Sequence, residues 1–426
     1  MTLENSVWML MLAVLTWVIG RLMMPKTPGR FTYLVLVMVS LAVKYVLVFI
    51  MYAQGTEVSG TDGLIYHQVA KDVASQLKAG VPLFSVEYEY TWYTVLAGIQ
   101  YALFGVNRYA ASFVNAFIGT LSGFMLTGIA LELRYSFKKS AFVGIAYLLV
   151  PSLMVWTTDT RKESVTFFIV LLIWYLTLNL IRNKDRAIVK KAAVCLCICF
   201  LLWISTLLRI YMLYTLGGGI LVCLFFLYLK TGRKTLIYFA LAVLLTGMFA
   251  TYYTVLANMK GYHAIPMDRS NGGDEDIAGE LDAEIDSIIG VILKKNLPDA
   301  VNGFLLRPYP SQAGNISDIA GNEAAIILLR LEQHLWYVCL ALAFFGALNA
   351  FMKWNPFLLG ILAYIVTYSA INILISENVA ETYFRYRAAL IGPVLLLADP
   401  RPFINNLRGY LTGKSVLSAD RSPFGG

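Results

Sequence analysis

Long apolar runs, separated by turns that are either short and basic or long and polar, dominate the chain. Measured against a hydrocarbon layer of about 30 Å, they predict eleven spanning helices, at residues 7–24, 31–53, 109–131, 141–156, 165–181, 192–208, 211–229, 236–256, 335–352, 356–373 and 386–397. The runs do not alternate as barrel strands do, and a backbone in lipid must satisfy its own polar groups. The expected fold is therefore an all-α polytopic integral membrane protein. Residues 93–104 are apolar but too short to span, and are read as a helix on the membrane surface.

Two polar stretches interrupt the bundle, at 54–108 and 257–333. In the first, Val69, Val73 and Leu77 recur at helical spacing opposite Lys71, Asp72 and Lys78, which predicts a surface helix over 65–79. In the second, 268–276 is rich in Gly and Asp. Ile277, Leu281, Ile285, Ile288, Ile289 and Ile292 then form an apolar face bordered by acids, as in an amphipathic lid. The chain thus divides into two spans (1–53), a first loop (54–108), about six spans (109–256), a second loop (257–333), three spans (334–399) and a tail (400–426).

Charge orients this arrangement. Only 14% of the 426 residues are charged and 58% are hydrophobic, with a net charge of +8 and a mean hydropathy of +0.67. Arg21, Lys26 and Arg30, then Arg134, Lys138 and Lys139, then the stretches 182–191 and 230–234, fall on one side. The positive-inside rule makes that side cytoplasmic, puts the N-terminus outside and the C-terminus inside, and accounts for the net charge without nucleic acid. The first apolar run leads into a basic turn and reads as a retained span. Lys44 lies inside the second span, where an unpaired charge at mid-bilayer costs about 2.5–3.5 kcal/mol, so it is expected to face the bundle or snorkel. Five cysteines, Cys195, Cys197, Cys199, Cys223 and Cys339, all sit in apolar runs and read as buried thiols.

The candidate chemistry lies on the opposite, outer side. The first loop carries Glu57, Asp62, Tyr66, His67, Glu87 and Glu89 with Tyr88, Tyr90, Trp92 and Tyr93. A partly buried Asp62 can act as general base towards a hydroxyl. It can instead hold a divalent cation (Mg or Mn) with Glu57, Glu87 or Glu89, or cap the helix that follows. His67 can bond a substrate or be a satisfied surface histidine. The aromatics suit either a sugar ring or a membrane-interface belt. Span ends on this side add Asp159, Arg161, Lys162, Glu163, Arg209 with Tyr211, Arg307 with Tyr309, and Arg385 and Arg387. These are interface anchors and inter-helix ion pairs, or a cluster for an anionic lipid headgroup, since guanidinium forks match phosphate oxygens.

Read as motifs, Asp62-x-x-x-Tyr66-His67-x-x-Ala70, Leu103-Phe104-Gly105, Pro151…Trp156…Arg161-Lys162-Glu163, Leu208-Arg209-x-Tyr211, Arg307-Pro308-Tyr309-Pro310 and Tyr386-Arg387 run in order through most of the chain. Together they resemble GT-C membrane glycosyltransferases, specifically bacterial relatives of the protein O-mannosyltransferases and the lipid A aminoarabinose transferases. The resemblance implies transfer of a sugar or oligosaccharide from a polyprenyl-phosphate or diphosphate donor to a glycan, lipid or protein acceptor. It implies a bacterial cytoplasmic membrane and a role in cell-surface polysaccharide or glycoconjugate assembly. It also implies Asp62 as base or metal ligand, with Arg161, Arg209, Arg307, Arg385 and Arg387 on the lipid phosphate. The chain departs from the O-mannosyltransferases, whose paired acids correspond to Asp62-Gly63, and in its additional first span. A repeat-unit polymerase is a close variant; a lipid or polysaccharide transporter and a non-catalytic assembly subunit are the readings from other classes.

Overall fold

The computed structural model describes residues 2–53, 62–88, 91–182, 187–259, 297–307, 309–311, 323–375 and 380–398. Glu57, Glu89, Tyr90, the 268–292 segment and the 400–426 tail lie outside them, as do the side chains of Asp62 and Arg385. Among the described residues there are fifteen α-helices and no strand. They are α1 (Leu3–Met23), α2 (Arg30–Ala53), α3 (Asp62–Lys78), α4 (Trp92–Phe104), α5 (Arg108–Glu132), α6 (Phe137–Leu148), α7 (Pro151–Trp156) and α8 (Glu163–Arg182). The rest are α9 (Ile188–Leu208), α10 (Tyr211–Thr231), α11 (Thr235–Met259), α12 (Leu297–Leu306), α13 (Glu323–Met352), α14 (Pro356–Ile375) and α15 (Ala380–Leu397).

Nine of these helices are long and apolar enough to cross a membrane, against the eleven spans expected. The two shortfalls have physical causes. Residues 386–397 form only the apolar part of α15. Residues 141–156 are split into α6 and α7, because Pro151 has no N–H to carry the helix forward. The groups freed at the break are taken up by neighbours: Glu332 of α13 accepts Ser152 N–H at 2.7 Å and Ser152 Oγ–H at 2.6 Å. Ser40 of α2 donates to Leu148 O at 3.3 Å. A buried orphan amide costs about 1–3 kcal/mol, so this trade keeps the interruption tolerable. Lys44 shares the Ser40 face of α2, is buried at 1% exposure and points into the bundle.

Large apolar side chains such as Leu10, Leu22, Val39, Phe142, Leu196 and Met248 stay exposed around the perimeter, as lipid contact requires. The same logic corrects the cysteine expectation. Only Cys223 is buried; Cys197 is exposed and Cys195, Cys199 and Cys339 are half-buried, because a thiol is tolerated on a lipid-facing surface.

The expected surface helices are present as α3 and α4, packed as a hairpin. Gly98 makes that packing close: a Cβ there would lie 2.3 Å from Val73 Cγ1. Helix α3 starts at Asp62, three residues before the predicted boundary, so Asp62 is its first residue and not the cap of a helix at 65. Helix α13 begins at Glu323, and the second polar stretch is correspondingly shorter than the predicted 257–333.

Candidate active site at the loop end of the bundle

The end of α2, the starts of α3 and α5, and the turn from α7 to α8 converge at one end of the bundle. The α7–α8 turn, residues 157–162, is buried through Asp159 and Arg161. Asn115 of α5 holds it by donating to the carbonyls of Asp159 and Arg161, the latter at 3.0 Å, and to Tyr93 Oη at 2.7 Å. Tyr93 is thereby fixed in the interior against Tyr66. Neither ring is placed to stack on a sugar, which removes Tyr93 from the expected aromatic platform and makes Tyr66 a support for α3.

Asp159 is the centre of this region. Its Oδ1 accepts Thr160 N–H at 2.7 Å and Tyr52 Oη–H at 3.3 Å, and meets Arg108 Nη2 at 3.3 Å. Its Oδ2 lies 3.5 Å from Arg161 Nε. The same oxygen lies against Gly63, where a Cβ would stand 2.1 Å from it. Asp159 thus stands against the backbone at the start of α3, next to the Asp62 position. Arg108 also stacks over Tyr52, 4.5 Å from the ring centre, and Arg161 over Trp156 at 5.2 Å. Asn107 caps α5 through Ala110 N–H at 3.0 Å and so fixes the backbone that carries Arg108.

His67 sits one turn along α3 from Gly63, bonded through Nδ1 to Tyr101 Oη at 2.8 Å. Burial, then the charges of Arg108 and Lys71, lower its pKa to about 4, so the ring is neutral in ordinary buffers. Glu87 is at the far end of the same helix, joined to Gln76 through its backbone N–H at 2.9 Å and its carbonyl at 2.8 Å. Gln76 is fourteen residues beyond Asp62, or about 21 Å at 1.5 Å per residue. Glu87 therefore cannot share a cation with Asp62.

The arginines divide into two groups. Arg209 Nη2 donates to Glu163 Oε1 at 2.9 Å and Nη1 to Tyr211 Oη at 2.6 Å, beneath Tyr386 at 4.8 Å. Glu163 is fully buried and Lys162 half-buried beside it. Arg387 donates to the carbonyls of Leu305 at 3.3 Å and Arg307 at 3.0 Å and to Gln333 Oε1 at 2.7 Å. With Gln333, Trp336 and Tyr337, which also donate to α12 carbonyls, it caps that helix. In this arrangement Arg209 joins α8 to α10 through Glu163 and Tyr211, and Arg387 holds the end of α12. Arg307, held in place by the cap, pairs with Asp299 at 2.9 Å, and Tyr309 bonds Asn302.

Asp62, Glu57 and Glu89, expected as donors to a divalent cation, lie outside the described side chains, which leaves Asp159 as the acid to weigh here. Among the described residues no three His, Cys, Asp or Glu side chains converge. Asp159 has both oxygens engaged, with two guanidinium groups within 3.5 Å. At an effective dielectric of about 20, a +2 ion roughly 5 Å from each guanidinium is repelled by about 6–7 kcal/mol per arginine, against about 11 kcal/mol of attraction to one carboxylate at roughly 3 Å. The described residues do not fit the cation.

Arg108, Asn115, Glu332 and Gln333 were not among the predicted site residues, and Asp159 was named only with the charged span ends. The available signals were an acid two positions before Arg161, a cation at a helix N-terminus, and polar residues inside apolar runs.

Fold and site define a polytopic helical membrane protein with a buried carboxylate–guanidinium cluster at one end. No family model matches the sequence, and no curated protein matches it. Among solved structures, the chain is similar to the oligosaccharyltransferase AglB from Archaeoglobus fulgidus in complex with an inhibitory peptide and a dolichol-phosphate, at 12% identity and TM-score 0.49, over 99% of this chain and 53% of that one. An Archaeoglobus fulgidus oligosaccharyltransferase tethered with an acceptor peptide matches at 13% and 0.46, over 84% and 47%. ArnT from Cupriavidus metallidurans, bound to undecaprenyl phosphate, matches at 11% and 0.38, over 93% and 82%. The chain spans about half the length of the archaeal structures it matches.

Proposed function

We propose that this chain is an integral-membrane glycosyltransferase that moves a sugar or oligosaccharide from a polyprenyl-phosphate or diphosphate donor to a hydroxyl-bearing glycan, lipid or protein. The reaction takes place at the loop end, on the outer face of a bacterial cytoplasmic membrane, in cell-surface polysaccharide or glycoconjugate assembly. The observation that carries the reading is the meeting of the Asp62 end of α3 with Asp159, Arg108 and Arg161 at the end of an apolar bundle. That meeting brings acid and cation together at the end of an apolar bundle.

In the reaction, the acceptor oxygen forms the new bond to the anomeric carbon and its proton passes to the Asp62 carboxylate. The bond from that carbon to the phosphate oxygen breaks, and its electron pair leaves on the lipid phosphate. Guanidinium groups stabilise the charge that builds there. His67, neutral, orients rather than ionises, and Asp159 balances Arg108 and Arg161 while the site waits for substrate.

The broken helix α6–α7 is the one observation that favours a transporter, whose spans are characteristically interrupted. Here the interruption is closed by Ser40 and Glu332, which favours the enzyme. Transfer from the host's polyprenyl-linked sugars, measured in nanodiscs for wild type and Asp62→Asn, tests the reading. Transfer that collapses in a folded Asp62→Asn protein supports it. Undiminished transfer removes Asp62 from the reaction, and no transfer by wild type with donor binding intact points to a transporter or assembly subunit.

A further inference from the structure

We infer that Asn107 is a positioning residue for the reaction, and that through it the peripheral helix α1 sets the place of the α5 start on which the candidate site is built. The inference rests on the proposed glycosyl transfer and adds the outer helix that holds the frame of the site.

Helix α1 is mostly a lipid-facing span. Leu10, Val14, Val18 and Leu22 are exposed, and a stripe at Asn5, Leu12, Thr16 and Gly20 is buried. At one end of that stripe Gly20 packs closely, since a Cβ there would lie 2.6 Å from Phe124 Cζ of α5. At the loop end the contact turns polar. Asn107, the cap of α5, donates from Nδ2 to Glu4 Oε1 and to Asn5 Oδ1, each at 2.9 Å, while its Oδ1 accepts Ala110 N–H at 3.0 Å. A carboxylate only accepts and a backbone N–H only donates, so the amide has one orientation that serves both helices. Thr2 caps α1 in turn by accepting Asn5 N–H at 3.3 Å. Trp8 meets Phe104, the last residue of α4, edge-on with ring centres 5.2 Å apart.

What this joint holds is the part of α5 that organises the site. Arg108, Ser112 and Asn115 follow the cap on one face of α5, a turn apart. They meet Asp159 Oδ1 at 3.3 Å, Tyr52 Oη at 2.5 Å and the carbonyls of Asp159 and Arg161. Across the α4–α5 turn, Tyr101 of α4 bonds His67 of α3 at 2.8 Å. A shift at residues 104–107 therefore reaches Asp159 through α5 and His67 through α4 at once. A cap alone fixes the first turn of α5 but leaves the α4–α5 turn free to slide past α1; the bonds to Glu4 and Asn5 remove that freedom. Misplacing a reacting constellation by about 1 Å costs on the order of a hundredfold in rate. Hydrogen bonds at an exposed helix start add only modestly to overall stability, so rate and stability part company when this joint is broken.

The test uses the full chain in nanodiscs with the host's polyprenyl-linked sugars as donor. Asn107→Ser keeps a capping oxygen for α5 but is too short to reach α1. Glu4→Ala/Asn5→Ala breaks the same joint from α1 and leaves the cap untouched. Glu4→Gln/Asn107→Asp keeps the cap and rebuilds the joint with donor and acceptor exchanged. The variants and wild type are compared for kcat, donor KM, unfolding temperature and backbone hydrogen exchange over residues 104–115. Asn107→Ser and Glu4→Ala/Asn5→Ala are expected to lower kcat about 10- to 100-fold, with donor KM and unfolding temperature little changed. Glu4→Gln/Asn107→Asp is expected to recover most of the rate. Wild-type kcat in both broken variants overturns the assignment, as does a loss of rate that simply follows unfolding temperature. If wild type transfers no sugar, hydrogen exchange decides. Faster exchange in the broken variants, slowed again in Glu4→Gln/Asn107→Asp, keeps the joint and sinks the glycosyl-transfer reading alone; unchanged exchange overturns the joint.

Discussion

Replacing Gly63 by alanine probes the contact on which the site depends. The added Cβ would stand 2.1 Å from Asp159 Oδ2 and 2.7 Å from both Cγ and Oδ1, whereas real Cβ atoms essentially never come within 3.0 Å. Something must therefore move by at least 0.9 Å. Neither partner yields easily. Asp159 is pinned by Thr160, Tyr52, Arg108 and Arg161, and α3 is packed tightly on α4 at Gly98. Overpacking of this kind costs about 1–3 kcal/mol, and the better helix propensity of alanine returns up to about 1 kcal/mol. The net loss of stability is therefore modest, about 0–3 kcal/mol. Activity should suffer more, because a displacement of about 1 Å in a reacting constellation costs on the order of a hundredfold in rate. The assay pairs sugar transfer with thermal unfolding in nanodiscs. The control is Gly218→Ala on α10, where a Cβ meets nothing within 4 Å. A Gly63→Ala protein with wild-type rate and stability would refute the claim that the α3 end and Asp159 form one site.

Three further outcomes are expected. Glu332→Ala strands the N–H and Oγ of Ser152 at the α6–α7 break and should cost about 2–4 kcal/mol in unfolding measurements, while Glu332→Gln, which still accepts, should lose less. Arg387→Ala uncaps α12 and should lower both unfolding temperature and donor binding, with no rescue in Arg387→Lys because an ammonium cannot reach Leu305 O, Arg307 O and Gln333 Oε1 in one plane. The pKa of His67 is lowered on folding, so its contribution to stability is full above pH 6.5 and is lost as pH falls towards about 4. Unfolding temperatures taken across that window should decline in wild type and flatten in His67→Gln.

The spans were legible because lipid leaves the sequence little choice: an apolar run of the right length has one way to satisfy its backbone. The surface helices were legible from Val69, Val73 and Leu77 and from the shortness of 93–104. The contacts that make a site were not, because they join residues far apart in the chain. Gly63 and Asp159 are 96 positions apart and Ser152 and Glu332 are 180 apart. Pro151 announced a possible interruption, yet nothing near it in sequence says that Glu332 would close it. Glu87 misled because nearness in a loop was taken for nearness in space. About 21 Å of α3 separates its Asp62 end from Gln76, the residue that holds the Glu87 backbone.

The arginines carry a wider consequence. Arg161, Arg209, Arg307, Arg385 and Arg387 were each reasonable phosphate ligands when read from sequence, whereas Arg108 was not singled out. In the structure Arg209 holds Glu163 and Tyr211, and Arg387 holds Gln333 and the end of α12. Removing a partner from a buried pair such as Glu163–Arg209, with side chains 0% and 7% exposed, leaves an uncompensated charge and costs about 3–5 kcal/mol. An alanine scan by activity alone would therefore mark Arg209 and Arg387 as essential alongside any arginine that meets the donor, for a different reason. The two kinds separate when rate, phosphate affinity and stability are read together. A structural arginine loses all three in proportion, whereas an arginine that meets the donor loses phosphate affinity and rate before it loses the fold.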